Sequence, residues 1–496
     1  MERFSKGTGV RHAAYGRGTV TASRLNGSEV RVSFGAYSLW VPGRELAVTG
    51  AGLRLVGGDG VPARPAAPER RPLDAILRLL EGRTASDVGR RTSDVEDSSR
   101  ATRDARRPTP QFRANREGHP VEDAAVLESF RLGIVPVAQV AQWTVGRDDE
   151  VRRIRAFLRD GAEGAILVEG AYGAGKSHLL RYLEQDAEGL GYAVATAGFD
   201  PSEATTAFPK KAWRRIVGGF KATVEGVPLD FRGFLRAVVG RDAWREVLGD
   251  NRLLGRFLAR LAGGHVEEED WDWVEGRTSG EGAYPTLHGY STCANMYCNL
   301  ISAMGRAAVE VLGLEGLVVL LDEAEVARNV MYRYQAQRGM NFFRGLVLTA
   351  NDDPVLVEEG LTRNEVVVGD TSGLIYSGHN PTRYTAGIPA HLKVAFALTP
   401  GSLQEEFRRS RESIGVIQLD VLSWEQLRDL FGRICDRFQS VTGIGLAPRD
   451  RERMFRLLST HDRVSSTRSF IKAAIEALDY VRFYPNASVE EMIVGG

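Results

Sequence analysis

The sequence predicts an α/β protein: a parallel sheet with a helical lid, preceded by a small all-β barrel. Three stretches carry that prediction. The first is Gly170-Ala171-Tyr172-Gly173-Ala174-Gly175-Lys176-Ser177, a GxxxxGKS run. An apolar strand-like segment, residues 165–169, precedes it, and residues 178–183 follow with apolar side chains at helical spacing. The second is residues 316–323, a buried-strand pattern ending in the carboxylates Asp322 and Glu323. The third is a pair of short strands, residues 18–25 and 29–34, joined by the hairpin signal Asn26-Gly27.

Strand, glycine-rich turn and helix, in that order, make a phosphate-binding loop. Several backbone N–H groups must turn toward one anion, which bulky residues forbid; Gly170, Gly173 and Gly175 supply the freedom. Lys176 places a point charge on the β/γ-phosphates of a nucleotide, Ser177 offers a hydroxyl to Mg²⁺, and the helix dipole adds a positive end. Asp322 is expected to hold Mg²⁺, directly or through water, and Glu323 to polarise the attacking water of a hydrolase. The plainer reading of Asp322-Glu323 is a helix cap after a core strand.

Composition bounds the rest. At 496 residues there is room for two to four domains, and 64 basic side chains balance 64 acidic ones, so no global field recruits nucleic acid. Cys293, Cys298 and Cys435 form no disulfide framework and read as buried small apolar residues rather than a zinc site. No signal-peptide pattern and no apolar run of membrane-spanning length is present, so the expectation is a soluble, cytoplasmic protein of bacterial type without membrane contact.

Residues 1–55 are assigned to the barrel, with His12 structural. Residues 56–119, rich in Arg, Asp, Ser, Pro, Ala and Gly, read as flexible linker. Residues 120–415 form the nucleotide-binding core, with a helical insertion at about 205–310, and residues 416–496 the helical lid. Within the insertion, residues 209–261 read as helical throughout and residues 262–290 as an acidic, glycine-rich surface excursion. Residues 192–199 suit a second parallel strand, and residues 393–399 a core strand ending in Thr399.

Four elements in order carry a family resemblance: residues 128–136, residues 145–150 (Val-Gly-Arg-Asp-Asp-Glu), residues 169–178 with the YGAGKSH form of the loop, and residues 317–325 with the LDEAE run. Together they resemble the ATP-binding proteins of bacteriophage-exclusion (BREX) systems, the BrxC/BrxD-like ATPases. The element at 145–150 is similar to the N-terminal nucleotide element of AAA+ proteins of the Orc/Cdc6 type and of STAND NTPases, where it lies near the adenine. The resemblance implies an AAA+-type ATPase using ATP and Mg²⁺ in phage defence, beside a helicase or another defence-system protein. It places nucleotide contacts at Gly146, Arg147, Gly170, Gly173, Ala174, Gly175, Lys176, Ser177 and His178. It also makes Thr399 the sensor 1 residue between the two Walker elements, and Arg468, at the start of a late lid helix, sensor 2. Arg411, or failing that Arg408, becomes a trans-acting arginine finger, which implies a homo-oligomer. An ordinary strand-end Thr and a solvated basic helix end are the plainer readings of Thr399 and of the arginines. The barrel, with His12-x-x-Tyr15-Gly16-x-Gly18-x-Val20, resembles the Tudor/SH3-like domain of UvrD/PcrA-type helicases and the RNA-polymerase-binding module of CarD-type proteins.

The leading expectation is an ATP-hydrolysing switch or motor in a DNA-associated defence complex. The alternatives are a STAND-like signalling ATPase and a nucleotide-dependent adaptor that recruits a helicase or RNA polymerase. A long repeat region after residue 480, which would favour STAND signalling, is not in the sequence. Direct DNA contact is left open, since only a local patch could make it.

Overall fold

The computed structural model describes five strands between residues 9 and 48, and residues 120–484 apart from stretches at 137–138, 160, 162, 200–207, 279–283, 288–292, 328–332, 364–366, 379–381, 402–412 and 462–463. The chain divides into two units, Met1–Pro68 and Glu69–Gly496.

In the first unit β1 (Gly9–His12), β2 (Gly16–Arg24), β3 (Glu29–Phe34) and β4 (Tyr37–Pro42) form an antiparallel meander, and β5 (Leu46–Val48) returns to pair with β1. Val10, Val20 and Val32 are its buried side chains among the described residues. Asn26-Gly27 lies outside the described residues.

The second unit opens with α1 (Pro120–Leu132) and α2 (Asp148–Arg159), then β6 (Ala165–Gly170), α3 (Lys176–Leu190) and β7 (Ala193–Gly198). Next come α4 (Pro209–Gly218), the hairpin β8 (Phe220–Val224) and β9 (Val227–Leu229), and four short helices: α5 (Phe231–Val239), α6 (Trp244–Leu248), α7 (Gly255–Ala262) and α8 (Glu268–Val274). Then follow α9 (Ala294–Arg306), β10 (Leu317–Asp322), α10 (Arg333–Ala350) and α11 (Val355–Glu358). A three-stranded sheet β11 (Leu361–Arg363), β12 (Val367–Gly369), β13 (Ile375–Tyr376) precedes β14 (Leu392–Leu398) and β15 (Gly415–Leu419). The last helices are α12 (Trp424–Thr442), α13 (Pro448–Ser459) and α14 (Thr467–Phe483).

One seven-stranded sheet, order β15-β6-β14-β10-β7-β8-β9, organises this unit. Its first five strands are all parallel, and the β8–β9 hairpin adds an antiparallel edge. Side chains alternate across a strand, so one apolar run serves two cores. Ile166, Val168, Val318, Leu320, Ala395 and Ala397 pack toward α2 and α3. Leu167, Val319, Leu321, Val394, Phe396 and Leu398 pack with α9, α10 and the insertion. A third cluster joins α12, α13 and α14 around Phe431, Phe455 and Phe470, and it takes in Val126, Leu127 and Phe130 of α1. The segment before the sheet is therefore bound to the helices after it.

Two expectations change here. Residues 209–261 are not wholly helical: Phe220, Ala222 and Val224 are buried alternately, a period-two signal. Glu225 and Gly226, both at positive φ (51° and 80°), make the tight turn such a hairpin requires. The described part of residues 262–290 is not a surface excursion. Trp271 and Trp273 are buried, and Trp273 stacks on Tyr284 at 4.3 Å between ring centroids. Acidic residues mark the exposed face of α8 and its capping box rather than a loop. Among the described residues no helix is long and apolar enough to cross a membrane.

Candidate nucleotide site

In an open parallel sheet, ligands bind outside the carboxyl ends of the strands, where neighbouring connections diverge. Three of the predicted residues meet there. Gly170 ends β6, Asp322 ends β10, and Thr399 follows β14, which lies between them.

The loop is built by its glycines. Gly175 caps α3 at φ 107°, a conformation that a side chain resists. Gly173, at φ 78°, leaves no room: a Cβ there would lie 2.6 Å from Ser466 Oγ. Lys176 is 9% exposed, and its ammonium donates to Gly170 O at 2.8 Å, Ala171 O at 3.3 Å and Thr399 Oγ1 at 3.3 Å. Ser177 donates to the Asp322 carboxylate; burial pushes that carboxyl up, and the hydroxyl opposes the shift. Asp322 Oδ1 also accepts from Glu323 N at 2.9 Å. Glu323 is exposed and sits at φ 55°.

A cavity of about 380 Å³ opens over the loop. Residues 172–178 and Asp322, Glu323 and Glu325 line its polar side; Phe130, Ile134, Trp143, Leu422, Leu430 and Ile471 line the other. The lid closes directly on the loop. Ser466 caps α14, so the first turn is fixed; Arg468 N donates to Gly173 O at 3.3 Å. The Arg468 guanidinium lies 5.6 Å from the Tyr172 ring centroid and donates to its hydroxyl at 3.0 Å. Tyr172 is 72% exposed.

His178 Nε2 and Thr144 Oγ1 are 2.9 Å apart. Burial, with the nearby Arg147 charge, lowers the His178 pKa to about 4, so the ring is neutral near pH 7. Arg147 lines the cavity, but its guanidinium donates to Ala174 O at 3.0 Å and Asp420 O at 2.7 Å, tying the loop to the end of β15. Gly146 lies against the lid: its carbonyl accepts from Gln426 Nε2 at 3.1 Å, and a Cβ would strike that side chain at 2.4 Å. Arg408 and Arg411 fall outside the described residues.

Three side chains here were not predicted. Glu325 Oε1 accepts from Thr399 Oγ1 at 2.7 Å. Tyr172 and Thr144 are the others. The third acidic residue of the LDEAE run was the available signal for Glu325; nothing in the sequence marked Thr144.

The site fits a nucleoside triphosphate with Mg²⁺. The backbone cradle admits no added Cβ at Gly173, and a hydroxyl and a half-buried carboxylate sit together, the oxygen donors that Mg²⁺ takes beside phosphates.

Comparison with known proteins agrees on part of this unit. Residues 119–220 match the protein family described as BREX system ATP-binding protein BrxC/D. The resemblance is thus shown over the stretch that holds the 145–150 element and the phosphate loop. No curated protein matches the chain. Among solved structures, the AMPPCP-bound DnaA from Aquifex aeolicus is 11% identical with a TM-score of 0.30. That match covers 70% of this chain and 64% of the DnaA chain, so this chain spans less than two thirds of its length.

Proposed function

We propose that this chain binds ATP with Mg²⁺ and hydrolyses it, as an AAA+-type switch or motor of a BREX-like, DNA-associated defence complex. The observation that carries the reading is the convergence of Lys176, Ser177, Asp322 and Thr399 at the carboxyl ends of three adjacent parallel strands, under a lid helix that presents Arg468. The family match at residues 119–220 supports ATP as the ligand and BREX as the setting.

In this reading the loop amides and Lys176 hold the β/γ-phosphates, Ser177 and Asp322 hold the cation, and Glu323 orients the attacking water. The cation, when bound, neutralises charge on the phosphate oxygens. Lys176 must leave Thr399 to reach a phosphate, and Arg468 must leave Tyr172. The nucleotide would then move the lid helix, which supports a switch. The apolar wall takes the base. Arg411, or else Arg408, would complete the site of a neighbouring subunit, so ATP should promote self-association.

The test is ATP turnover by the purified chain with and without DNA, beside light scattering with ATP. Glu323→Gln should keep ATP bound and lower turnover on the order of 100-fold, because the amide keeps the shape and loses the acceptor. Turnover within severalfold of wild type would remove Glu323 from the mechanism.

A further inference from the structure

Glu325 belongs to the site although no role had been assigned to it. The chain leaves β10 in a short 3₁₀ turn, Ala324–Ala327, anchored by the fully buried Ala324 and packed against β14. That turn brings Glu325 back over the end of the neighbouring strand, where Thr399 donates to its Oε1 at 2.7 Å. A hydroxyl has one proton, so once Thr399 donates to Glu325 its oxygen only accepts on the other side. It accepts there from Lys176 Nζ at 3.3 Å. The result is a directed path, Lys176 to Thr399 to Glu325, from the phosphate-binding ammonium to a carboxylate that lines the same cavity.

The two oxygens of Glu325 are not equivalent. Oε1 is held by Thr399. Oε2 is buried, and no protein group among the described residues donates to it. A buried acceptor without a donor is rare in folded proteins and often belongs to a group with work to do. Glu323 contrasts with it: an exposed side chain on a left-handed backbone residue.

We propose that Glu325 is a second catalytic carboxylate of this site. Thr399 anchors Oε1, and Oε2, on a small turn of the carboxylate toward the cavity, accepts a hydrogen bond from the water that attacks the terminal phosphate. This rests on the reading of the site as an ATP hydrolase. Thr399 then serves as a positioning residue that acts through Glu325.

Glu325→Gln tests the assignment, because the amide oxygen can still accept from Thr399 while the NH₂ group replaces the acceptor Oε2. We expect kcat to fall on the order of 100-fold, with KM and the affinity for a non-hydrolysable ATP analogue within about threefold of wild type. The melting temperature of the nucleotide-free protein should hold or rise, since the change removes the like charge that Glu325 sets beside Asp322. Thr399→Val should lower kcat too, Thr399→Ser should restore it, and the double variant should be no worse than the poorer single one, as for residues acting as one unit. The assignment falls if Glu325→Gln turns over ATP within about threefold of wild type. It also falls if kcat, analogue affinity and melting temperature drop together, the pattern of a purely structural carboxylate. The failure of the hydrolase reading looks different: wild type binds the analogue, Lys176→Ala does not, and neither turns over ATP. The proposal then falls with that reading.

Discussion

The two walls of the cavity are built in opposite ways. The polar wall comes from the loop after β6, the start of α3 and the end of β10; its side chains include the Lys176 ammonium, the Ser177 hydroxyl and the Asp322, Glu323 and Glu325 carboxylates. The apolar wall comes from α1, the segment before α2, the segment after β15, α12 and α14, each supplying one or two side chains. A phosphate needs directed donors at fixed positions, which only rigid strand ends and a constrained turn can hold. An apolar surface is non-directional, so any side chains of suitable size that meet there will do. The polar wall therefore depends on particular residues, and the other on assembly.

Three experiments separate the two walls. The largest effect should come from Lys176→Ala, which removes the ammonium aimed into the loop. Affinity should fall on the order of 100-fold for ATP and for inorganic tripolyphosphate alike, since the missing contact is to phosphate. Isothermal titration with both ligands measures this, and unchanged tripolyphosphate binding would take the phosphate site away from the loop.

Ile471→Ala thins the apolar wall from the lid side. It should weaken ATP about tenfold and leave tripolyphosphate unaffected, because only the base loses buried contact. Equal weakening of both ligands would mean that Ile471 acts by holding the lid, and the proposed division between the walls would fail.

The smallest effect joins the walls through His178, which lines the cavity and meets Thr144. Its folded pKa is about 4 against an ordinary 6.5, so between those values the unfolded chain binds a proton that the folded chain refuses. Stability from this group is complete above pH 6.5 and is lost as pH falls toward 4. Discounted for partial exposure, the loss is on the order of 1 kcal/mol. Melting temperatures measured from pH 7 to 4.5 should fall more steeply for wild type than for His178→Asn. Parallel curves would mean that His178 titrates normally.

Reading the chain in order recovered the polar wall far better than the other. Gly173, Gly175, Lys176 and Ser177 are adjacent in sequence, and their conformational demands are local. The strand-end acid Asp322 and the hydroxyl Thr399 are distant in sequence, but each announces itself at the end of an apolar run. The β8–β9 hairpin was missed because its alternation is short and lies between helical stretches. Helix α8 was missed because its acidic exposed face outnumbers the two tryptophans it buries.

By itself the sequence determined the parallel sheet and the glycine-rich loop before α3, because strand burial and left-handed glycine positions act over a few residues. Only the tertiary structure decided that α1 joins the lid, that Gly146 faces Gln426, and that Glu325 meets Thr399. Those outcomes turn on strand order and on a single 3₁₀ turn. They bring together residues dozens to hundreds of positions apart, and no local pattern encodes such a meeting.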